Sequence, residues 1–189
     1  MAKYTLISEP PLAGYDRDFD GTSLVAPQDL ALVSIALPLG DEEKAQKAIR
    51  SAYGTDLPDV GLSATTKKHD SRLLRLAKDQ AFVLFTRDKP GAAEMVGDLL
   101  KGKAYLTDQT DVWTGLRLSG PLSVRALERI CPIDLHSKSF GQGQVARTMM
   151  EHLGVLVLRE ADDTFLLLSA SSSAGSFLHA VETSIENVL

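Results

Sequence analysis

The sequence predicts an α+β fold in which two pseudo-repeated β-α-β-β-β-α units pack into one body. Three observations lead to this prediction. The 189-residue chain is 44% hydrophobic, which is normal for a globular protein of one domain or two small lobes. Apolar residues recur with the two-residue period of strands and the three-to-four-residue period of helices. The same element order occurs in residues 29–103 and in residues 111–189, which we treat as two halves of a single domain, 29–189.

In the first half, a strand is followed by a helix, three further strands and a second helix. The acidic run Asp41-Glu42-Glu43 is typical of a helix N-terminus, where negative charge interacts favourably with the helix dipole. The residues Lys78-Asp79-Gln80 suit a hairpin connection. The predicted elements are Leu30–Leu37, a helix with an apolar face from Ala45 to Ala52, Leu57–Thr66, Leu73–Ala77, Phe82–Thr86 and a helix from Ala92 to Leu99.

The second half repeats this order. Pro121 is placed at the first position of a helix, where proline is tolerated, and Asp162-Asp163 is placed in a turn. Gly40 aligns with Gly120 and Phe82 with Phe165, at an offset of about 80 residues that supports a duplication with two sheet-and-helix layers. The predicted elements are Val112–Leu118, a helix from Val124 to Cys131, Val145–Leu153, Val155–Arg159, Phe165–Ser169 and a helix from Phe177 to Val188.

Residues 1–28 are predicted to form an irregular N-terminal arm, because prolines, glycines and charges interrupt any regular pattern there. No apolar stretch follows Met1, so we expect no signal peptide, and no apolar run is long enough for a membrane span. The single cysteine cannot form an internal disulfide. These features together predict a cytoplasmic protein that does not bind a membrane.

The charge pattern argues against a nucleic-acid-binding protein. Acidic residues (25) exceed basic ones (20), giving a net charge of −5, whereas such proteins rely on a concentrated basic face. The densest basic cluster is Lys67-Lys68-His69 with Arg72 and Arg75. We interpret it as a solvated turn.

The residues that most often carry chemistry do not form a recognisable motif. The four histidines (His69, His136, His152 and His179) lack the short ligand spacing of a structural zinc site. Cys131 lies on the apolar stripe of a helix, so we interpret it as a buried core residue and not as a nucleophile. The G-x-G of Gly141 to Gly143 leads into a strand, whereas a dinucleotide loop leads into a helix. The sequence therefore predicts no catalytic residue, no cofactor-binding residue and no metal ligand in this chain.

The segment Arg147-Thr148-Met149-Met150-Glu151-His152 is unusual for a strand. Its alternating faces are neither purely apolar nor purely polar. One interpretation is a rim strand on which Arg147 and Glu151 form an exposed pair. The other is a contact strand, because arginine and methionine are enriched at interface cores. The predicted contact residues are Arg147, Met149, Met150, Glu151 and His152.

Three stretches carry a resemblance to a known family: Leu118-Ser119-Gly120-Pro121, the run from Arg129 to His136, and the run from Val145 to Gly154. Together with the Ser-rich turn and the closing helix, they resemble the gamma subunit of heterotetrameric sarcosine oxidase. The resemblance is most specific over residues 111–189. It implies a subunit without cofactors in a complex that oxidises sarcosine to glycine, reduces oxygen to hydrogen peroxide and, with tetrahydrofolate, forms 5,10-methylenetetrahydrofolate.

This resemblance also implies the partners and cofactors. The partners would be the alpha, beta and delta subunits, and FAD, FMN, NAD, tetrahydrofolate and zinc would be held by them, so this chain would be a non-catalytic subunit of an oxidoreductase. The duplicated architecture is similar to part of the folate-binding fold of aminomethyltransferases. Two alternatives are therefore a stand-alone folate-dependent aminomethyltransferase-like protein and a small scaffolding module.

Overall fold

The structure, a computed structural model, describes residues 9–87 and 89–189. Two antiparallel sheets pack face to face, and two helices cover the outer face of each sheet. Sheet A contains, in spatial order, β1 (Asp16–Phe19), β2 (Thr22–Val25), β8 (Trp113–Ser119), β11 (Thr164–Ala170), β10 (Leu153–Ala161) and β9 (Val145–Met150). Sheet B contains β4 (Ser63–Thr65), β5 (Ser71–Arg75), β6 (Gln80–Thr86), β3 (Leu30–Ala36) and β7 (Tyr105–Asp108). The helices are α1 (Glu42–Tyr53), α2 (Ala92–Leu100), α3 (Ser123–Ile130) and α4 (Ala174–Glu186).

Three apolar clusters fill the spaces between the four layers. The first lies between sheet B and the helices α1 and α2, and includes Ile49. The second lies between the sheets and includes Phe82 and Leu156. The third lies between sheet A and the helices α3 and α4, and includes Phe177. Central strands are thus buried on both faces, which explains their continuous apolar runs. Within the described ranges, no helix is both long and apolar enough to cross a membrane.

The mixed helix-and-sheet class predicted from the sequence is confirmed. The first half runs β3-α1-β4-β5-β6-α2 along the chain, and the second runs β8-α3-β9-β10-β11-α4. The first half contributes the strand order β4-β5-β6-β3 to sheet B, and the second half contributes β9-β10-β11-β8 to sheet A. Sheet A gains two strands that precede the first half, β1 and β2, because β2 pairs with β8. Sheet B gains one strand that precedes the second half, β7, which pairs with β3. The strands that precede each half therefore join the sheet of the other half.

The residue alignment proposed for the two halves is wrong for the phenylalanines. Phe82 points into the cluster between the sheets, whereas Phe165 points toward the helices. A shift of one residue in a strand moves a side chain to the opposite face. The glycines also differ in position, because Gly120 directly follows β8 while Gly40 lies four residues beyond the end of β3.

The expectation of an irregular arm over residues 1–28 is wrong for residues 16–25, while residues 1–8 lie outside the described ranges. Strands β1 and β2 form a hairpin that pairs through β2 with β8. Its apolar residues Phe19 and Leu24 are buried in the cluster beneath α4. The apolar alternation in β1 and β2 is short and interrupted by charged residues, so the sequence does not predict these strands. They form because β2 pairs with β8, which lies far away in the chain.

Side chains near the hairpin fasten it to α4. The hydroxyl of Tyr15 donates a hydrogen bond to Oε1 of Glu182 at 2.6 Å. The guanidinium of Arg17 bridges Glu182 and Glu186 at 3.0 and 3.1 Å, and it also lies 4.3 Å from the ring centroid of Phe19. The N-terminal hairpin and the C-terminal helix are therefore held together across sheet A.

Several element boundaries differ from the prediction. The stretch Leu57–Thr66 contains only the short strand β4, and α3 begins at Ser123, so Pro121 precedes the helix. The four-residue strand β7 was not predicted, because its sequence has no apolar alternation. The predicted strand Val145–Leu153 ends at Met150. The turn at Asp162-Asp163 is confirmed, since β10 and β11 flank it as an antiparallel pair.

A buried arginine fixes the loop that leads into β9. Arg159 is 4% exposed, and its Nη1 donates hydrogen bonds to the carbonyl oxygens of Leu135 (2.9 Å) and Phe140 (2.7 Å). Its guanidinium also donates to the carbonyl of Asp162 and lies 5.2 Å from the ring centroid of Phe165. Backbone carbonyls thus solvate this cation, and they tie the loop before β9 to the β10–β11 hairpin.

Candidate subunit interface

The five predicted contact residues lie at one end of sheet A, around the β9–β10 hairpin. Arg147, Met149, Glu151 and His152 are exposed, and the side chain of Met149 is 51% exposed. Met150 is fully buried in the cluster beneath α3 and α4. Met150 is therefore a core residue and cannot contact a partner directly, which corrects its inclusion among the contact residues.

The proposed pair between Arg147 and Glu151 does not form in the structure. Glu151 and His152 are the two turn residues between β9 and β10, and Glu151 has φ +53°. Two-residue hairpin turns favour such left-handed backbone conformations. Because the chain reverses at Glu151, its side chain does not continue the β9 row. The guanidinium of Arg147 instead lies 5.8 Å from the ring centroid of Trp113.

An open row of side chains crosses the end of sheet A on the face that is turned toward sheet B. Met149 of β9 lies opposite Gly154 of β10. Ala170 of β11 lies opposite Trp113 of β8. Gly154 and Ala170 are neighbours at the adjoining ends of β10 and β11. Met149, Gly154 and Ala170 are exposed and Trp113 is half-buried. A Cβ added at Gly154 would meet no atom within 4 Å. Sheet B therefore leaves this end of the face uncovered. We call these four residues the open row.

The sequence-based reasoning did not find Trp113, Gly154 and Ala170 as part of this surface. They lie on different strands, and only the strand register brings them beside Met149. The single tryptophan of the chain, at the start of β8, was the one available signal. Arg147 reaches over this surface toward Trp113, so the surface is apolar with a cation at its border.

Two shallow clefts flank the other side of the hairpin. The first, of about 330 Å³, lies between the end of α3 and α4, and its wall includes Arg129, Glu151 and His179. The second, of about 430 Å³, lies between Met149 and the end of α3, and its wall includes Cys131 and Pro132. Charged residues of both signs border the clefts. Such borders are typical of the polar rim of a protein contact.

Cys131 and the loop that follows it take part in packing and hydrogen bonding within the chain. Burial raises the pKa of the Cys131 thiol, which disfavours the thiolate that nucleophilic chemistry requires. The G-x-G segment continues into β9, as predicted. Hydrogen bonds from Ser139 and from the backbone of His136 lower the pKa of Asp134, which is an exposed residue of the same loop. In residues 9–87 and 89–189, no group of three His, Cys, Asp or Glu side chains could hold a metal ion.

The basic residues near position 70 serve different local contacts. Lys67, Lys68 and His69 are exposed, and Nζ of Lys68 donates to the carbonyl of Ser51. Arg75 donates to the carbonyl oxygens of Pro58, Ala77 and Lys78. Arg75 is therefore engaged with the backbone, and only the exposed turn residues match the interpretation as a solvated turn.

Sequence comparison finds gamma subunits of sarcosine oxidase. The subunit from Corynebacterium sp. (strain P-1) is 29% identical over 133 residues, which are 70% of this chain and 65% of that protein. The subunit from Arthrobacter sp is 26% identical over 121 residues, which are 64% of this chain and 60% of that protein. The match thus spans less than two thirds of the length of these curated relatives. No family model matches the chain.

Structure comparison finds the same fold in two enzymes. A chain of heterotetrameric sarcosine oxidase from Corynebacterium sp. U-96, in complex with pyrrole 2-carboxylate, superimposes with a TM-score of 0.81 at 20% identity over 94% of both chains. Aminomethyltransferase T of the glycine cleavage system from Bartonella henselae superimposes with a TM-score of 0.66 at 16% identity, over 85% of this chain and 45% of that one. The predicted similarity to an aminomethyltransferase fold is confirmed. The resemblance inferred from the sequence is confirmed as well: this chain is homologous to the gamma subunits of sarcosine oxidase.

Proposed function

We propose that this chain is the gamma subunit of a heterotetrameric sarcosine oxidase. The observation that carries the proposal is its sequence similarity to three proteins named as such subunits. The complex would oxidise sarcosine to glycine, reduce oxygen to hydrogen peroxide and, with tetrahydrofolate, form 5,10-methylenetetrahydrofolate. Its partners would be the alpha, beta and delta subunits, in the cytoplasm.

The proposed role of the chain within this complex is non-catalytic. FAD, FMN, NAD, tetrahydrofolate and zinc would be held by the other subunits. The surroundings of Cys131 and Asp134 support this role, since each group takes part in local packing or loop hydrogen bonding. Arg159, the buried cation, is likewise engaged by backbone carbonyls.

The proposed contact surface is the exposed end of sheet A. Its members are Arg147, Met149 and the remainder of the open row, with Glu151 and His152 at the hairpin turn. The apolar row, the nearby cation and the polar border support the assignment, because this combination of an apolar centre and a polar rim is typical of protein interfaces. Met150 would support the surface from below.

The same proposal treats residues 29–189 as one domain with pseudo-repeated halves, 29–103 and 111–189. The shared strand order and the pairing of β2 with β8 and of β7 with β3 support it. Superposition of the four-strand units should align Phe165 with a helix-facing residue such as Val83, not with Phe82. The hairpin of β1 and β2 would belong to this domain through β8.

Co-expression with the three partner subunits tests the function. The chain should co-purify at equal stoichiometry through an affinity tag on another subunit, and the complex should produce hydrogen peroxide from sarcosine. The chain alone should show no flavin absorbance and no sarcosine oxidation. A stoichiometric yellow chromophore on the isolated chain, or a failure to co-purify, would contradict the proposal.

The alternative of an aminomethyltransferase-like protein has one observation in its favour, the similarity of fold to aminomethyltransferase T. This chain matches only 45% of that protein. Calorimetric titration of the isolated chain with tetrahydrofolate distinguishes the two, because only the alternative requires binding. A monomer that neither binds folate nor joins the complex would favour the scaffolding module.

A further inference from the structure

The outer edge of sheet A at β9 differs from the other sheet edges. In the part of the chain that the structure describes, the four edge strands are β1, β4, β7 and β9, with four, three, four and six residues. β9 is the longest and contains a single charged residue, Arg147, whereas three of the four residues of β1 are charged. Proteins commonly protect such edges with charges or short strands, because an unprotected edge can pair with another chain.

Among residues 9–87 and 89–189, backbone hydrogen bonds close this edge at both ends and leave its middle open. The amide of Val145 donates to the carbonyl of Gly61 at 2.9 Å, so the backbone groups of residue 145 point away from β10. The amide of Glu151 donates to the carbonyl of Ile130 at 3.1 Å. Backbone groups in an antiparallel strand alternate in direction with a period of two. The amides and carbonyls of Arg147 and Met149 therefore also point outward, and they lie between the two closed ends.

We propose that an extended segment of a partner subunit pairs with β9 at Arg147 and Met149 and extends sheet A by one strand. The inference deepens the proposed function and rests on it, since it names how the chain is bound in the complex. Strand addition gains main-chain hydrogen bonds along the edge, and side-chain pockets add specificity. Two outward-facing residues offer two amide donors and two carbonyl acceptors.

The neighbouring side chains define the chemistry of the docked segment. Arg147 and Met149 both project on the face turned toward sheet B, where they are exposed. Residues directly opposite each other on paired strands have adjacent side chains, and opposite charges or apolar pairs stabilise the pairing. The segment therefore carries an acidic residue opposite Arg147 and, two positions away, an apolar residue opposite Met149.

The cleft of about 430 Å³ lies beside the same edge, on the side of sheet A that α3 covers. Its wall contains Met149 from β9 and Ile130, Cys131 and Pro132 from the end of α3. The cleft thus begins at the open part of the edge, and Glu128, Arg129 and Glu151 add charged groups to its wall. The residue between the acidic and the apolar positions of the docked segment would face this cleft, because successive side chains on a strand point to opposite faces.

The decisive variant is Met149→Pro, with Met149→Thr as its matched control. Proline removes the outward-pointing amide of residue 149 and leaves the hydrogen bonds between β9 and β10 intact. Edge strands tolerate proline at positions whose amide points away from the sheet. Threonine removes the thioether and retains the amide. In the co-expressed complex, Met149→Pro should lower the amount of co-purified chain at least tenfold. Met149→Thr should lower it less than threefold.

Hydrogen–deuterium exchange on the wild-type complex gives a second measurement that does not depend on how the variants fold. Peptides covering residues 146–150 should exchange at least tenfold more slowly in the complex than in the isolated chain. Equal exchange rates in the two states would overturn the inference. So would a Met149→Pro chain that assembles like wild type, and both results would leave the proposed function standing.

Other outcomes are equally informative. Failure of the wild-type chain to assemble with the partner subunits would refute the proposed function, and the inference with it. If the isolated chain forms a homodimer through β9, with protection of residues 146–150 that is unchanged in the complex, the occupant is a second copy of this chain and the proposal of a partner segment is wrong.

Discussion

Replacement of Arg159 tests how this fold holds the loop before β9. In the native structure, its Nη1 donates to the carbonyls of Leu135 and Phe140, and both hydrogen bonds are buried. Arg159→Met keeps much of the side-chain length but removes all five donors of the guanidinium. The carbonyl oxygens then lose a charged donor in a region with little access to water.

The expected cost follows from these two buried contacts. A hydrogen bond to a charged group contributes about 1.5–3 kcal/mol, so the pair contributes about 3–6 kcal/mol. Chains of this size lose roughly 2–4 °C in melting temperature per kcal/mol. Arg159→Met should therefore lower the melting temperature by about 6–24 °C. A loss of about 3–6 kcal/mol is a large fraction of the about 5–15 kcal/mol that stabilises a typical protein.

Urea unfolding and thermal unfolding of the isolated chain measure this effect. Arg117→Met is the matched control, because the side chain of Arg117 is 41% exposed and pairs with Glu160 at 2.7 Å. This pair is only partly buried, so its loss should cost about 1 kcal/mol. Arg159→Lys should fall between the two, since it retains the charge but not the planar set of donors. If Arg159→Met and Arg117→Met have the same effect, the reasoning about buried carbonyls is refuted.

Further predictions concern single groups. Burial raises the pKa of Tyr53 to about 12, and its hydroxyl is buried without a partner in the described structure; Tyr53→Phe should therefore stabilise the chain by about 1 kcal/mol in urea unfolding. In the wild type, Tyr53 ionises near pH 10 in the unfolded chain and near pH 12 in the folded chain. The free energy of unfolding should therefore fall as the pH rises across this range, and it should fall less in Tyr53→Phe. Gly120→Ala should destabilise the folded chain by about 3 kcal/mol or more, because the added Cβ would lie 2.5 Å from the carbonyl oxygen of Gly21. Gly154→Ala is the control, since its added Cβ would meet no atom within 4 Å, and it should change the stability by less than about 1 kcal/mol. Equal effects of the two alanines would contradict this prediction.

The predicted secondary structure was most accurate where a strand or helix has a strong local pattern. The runs at Leu30 and Phe82 are buried on both faces of sheet B, and the final helix has a clear apolar stripe. The hairpin β1–β2 and the strand β7 were missed, because each depends on pairing with a strand far away in the chain. Short strands of this kind carry little local signal, and tertiary pairing decides their existence.

The candidate contact surface shows the same division. The sequence singled out Arg147 and Met149 by their mixed pattern, and both are exposed. It also included Met150, which is buried because the pleat turns alternate side chains into the core. The proposed partner of Arg147 was Glu151, but a two-residue turn at that position redirects the chain. The guanidinium of Arg147 instead lies 5.8 Å from the ring centroid of Trp113.

The sequence by itself determined the class of the fold, the order of most elements and the homology to gamma subunits of sarcosine oxidase, because these depend on periodicity and residue identity along the chain. Only the tertiary structure decided which residues share a surface. Strand register brings Met149, Gly154, Ala170 and Trp113 into one row, and the contacts of Gly61 and Ile130 leave two residues of β9 open between them. Such juxtapositions arise from pairing between distant segments, and no local pattern specifies them.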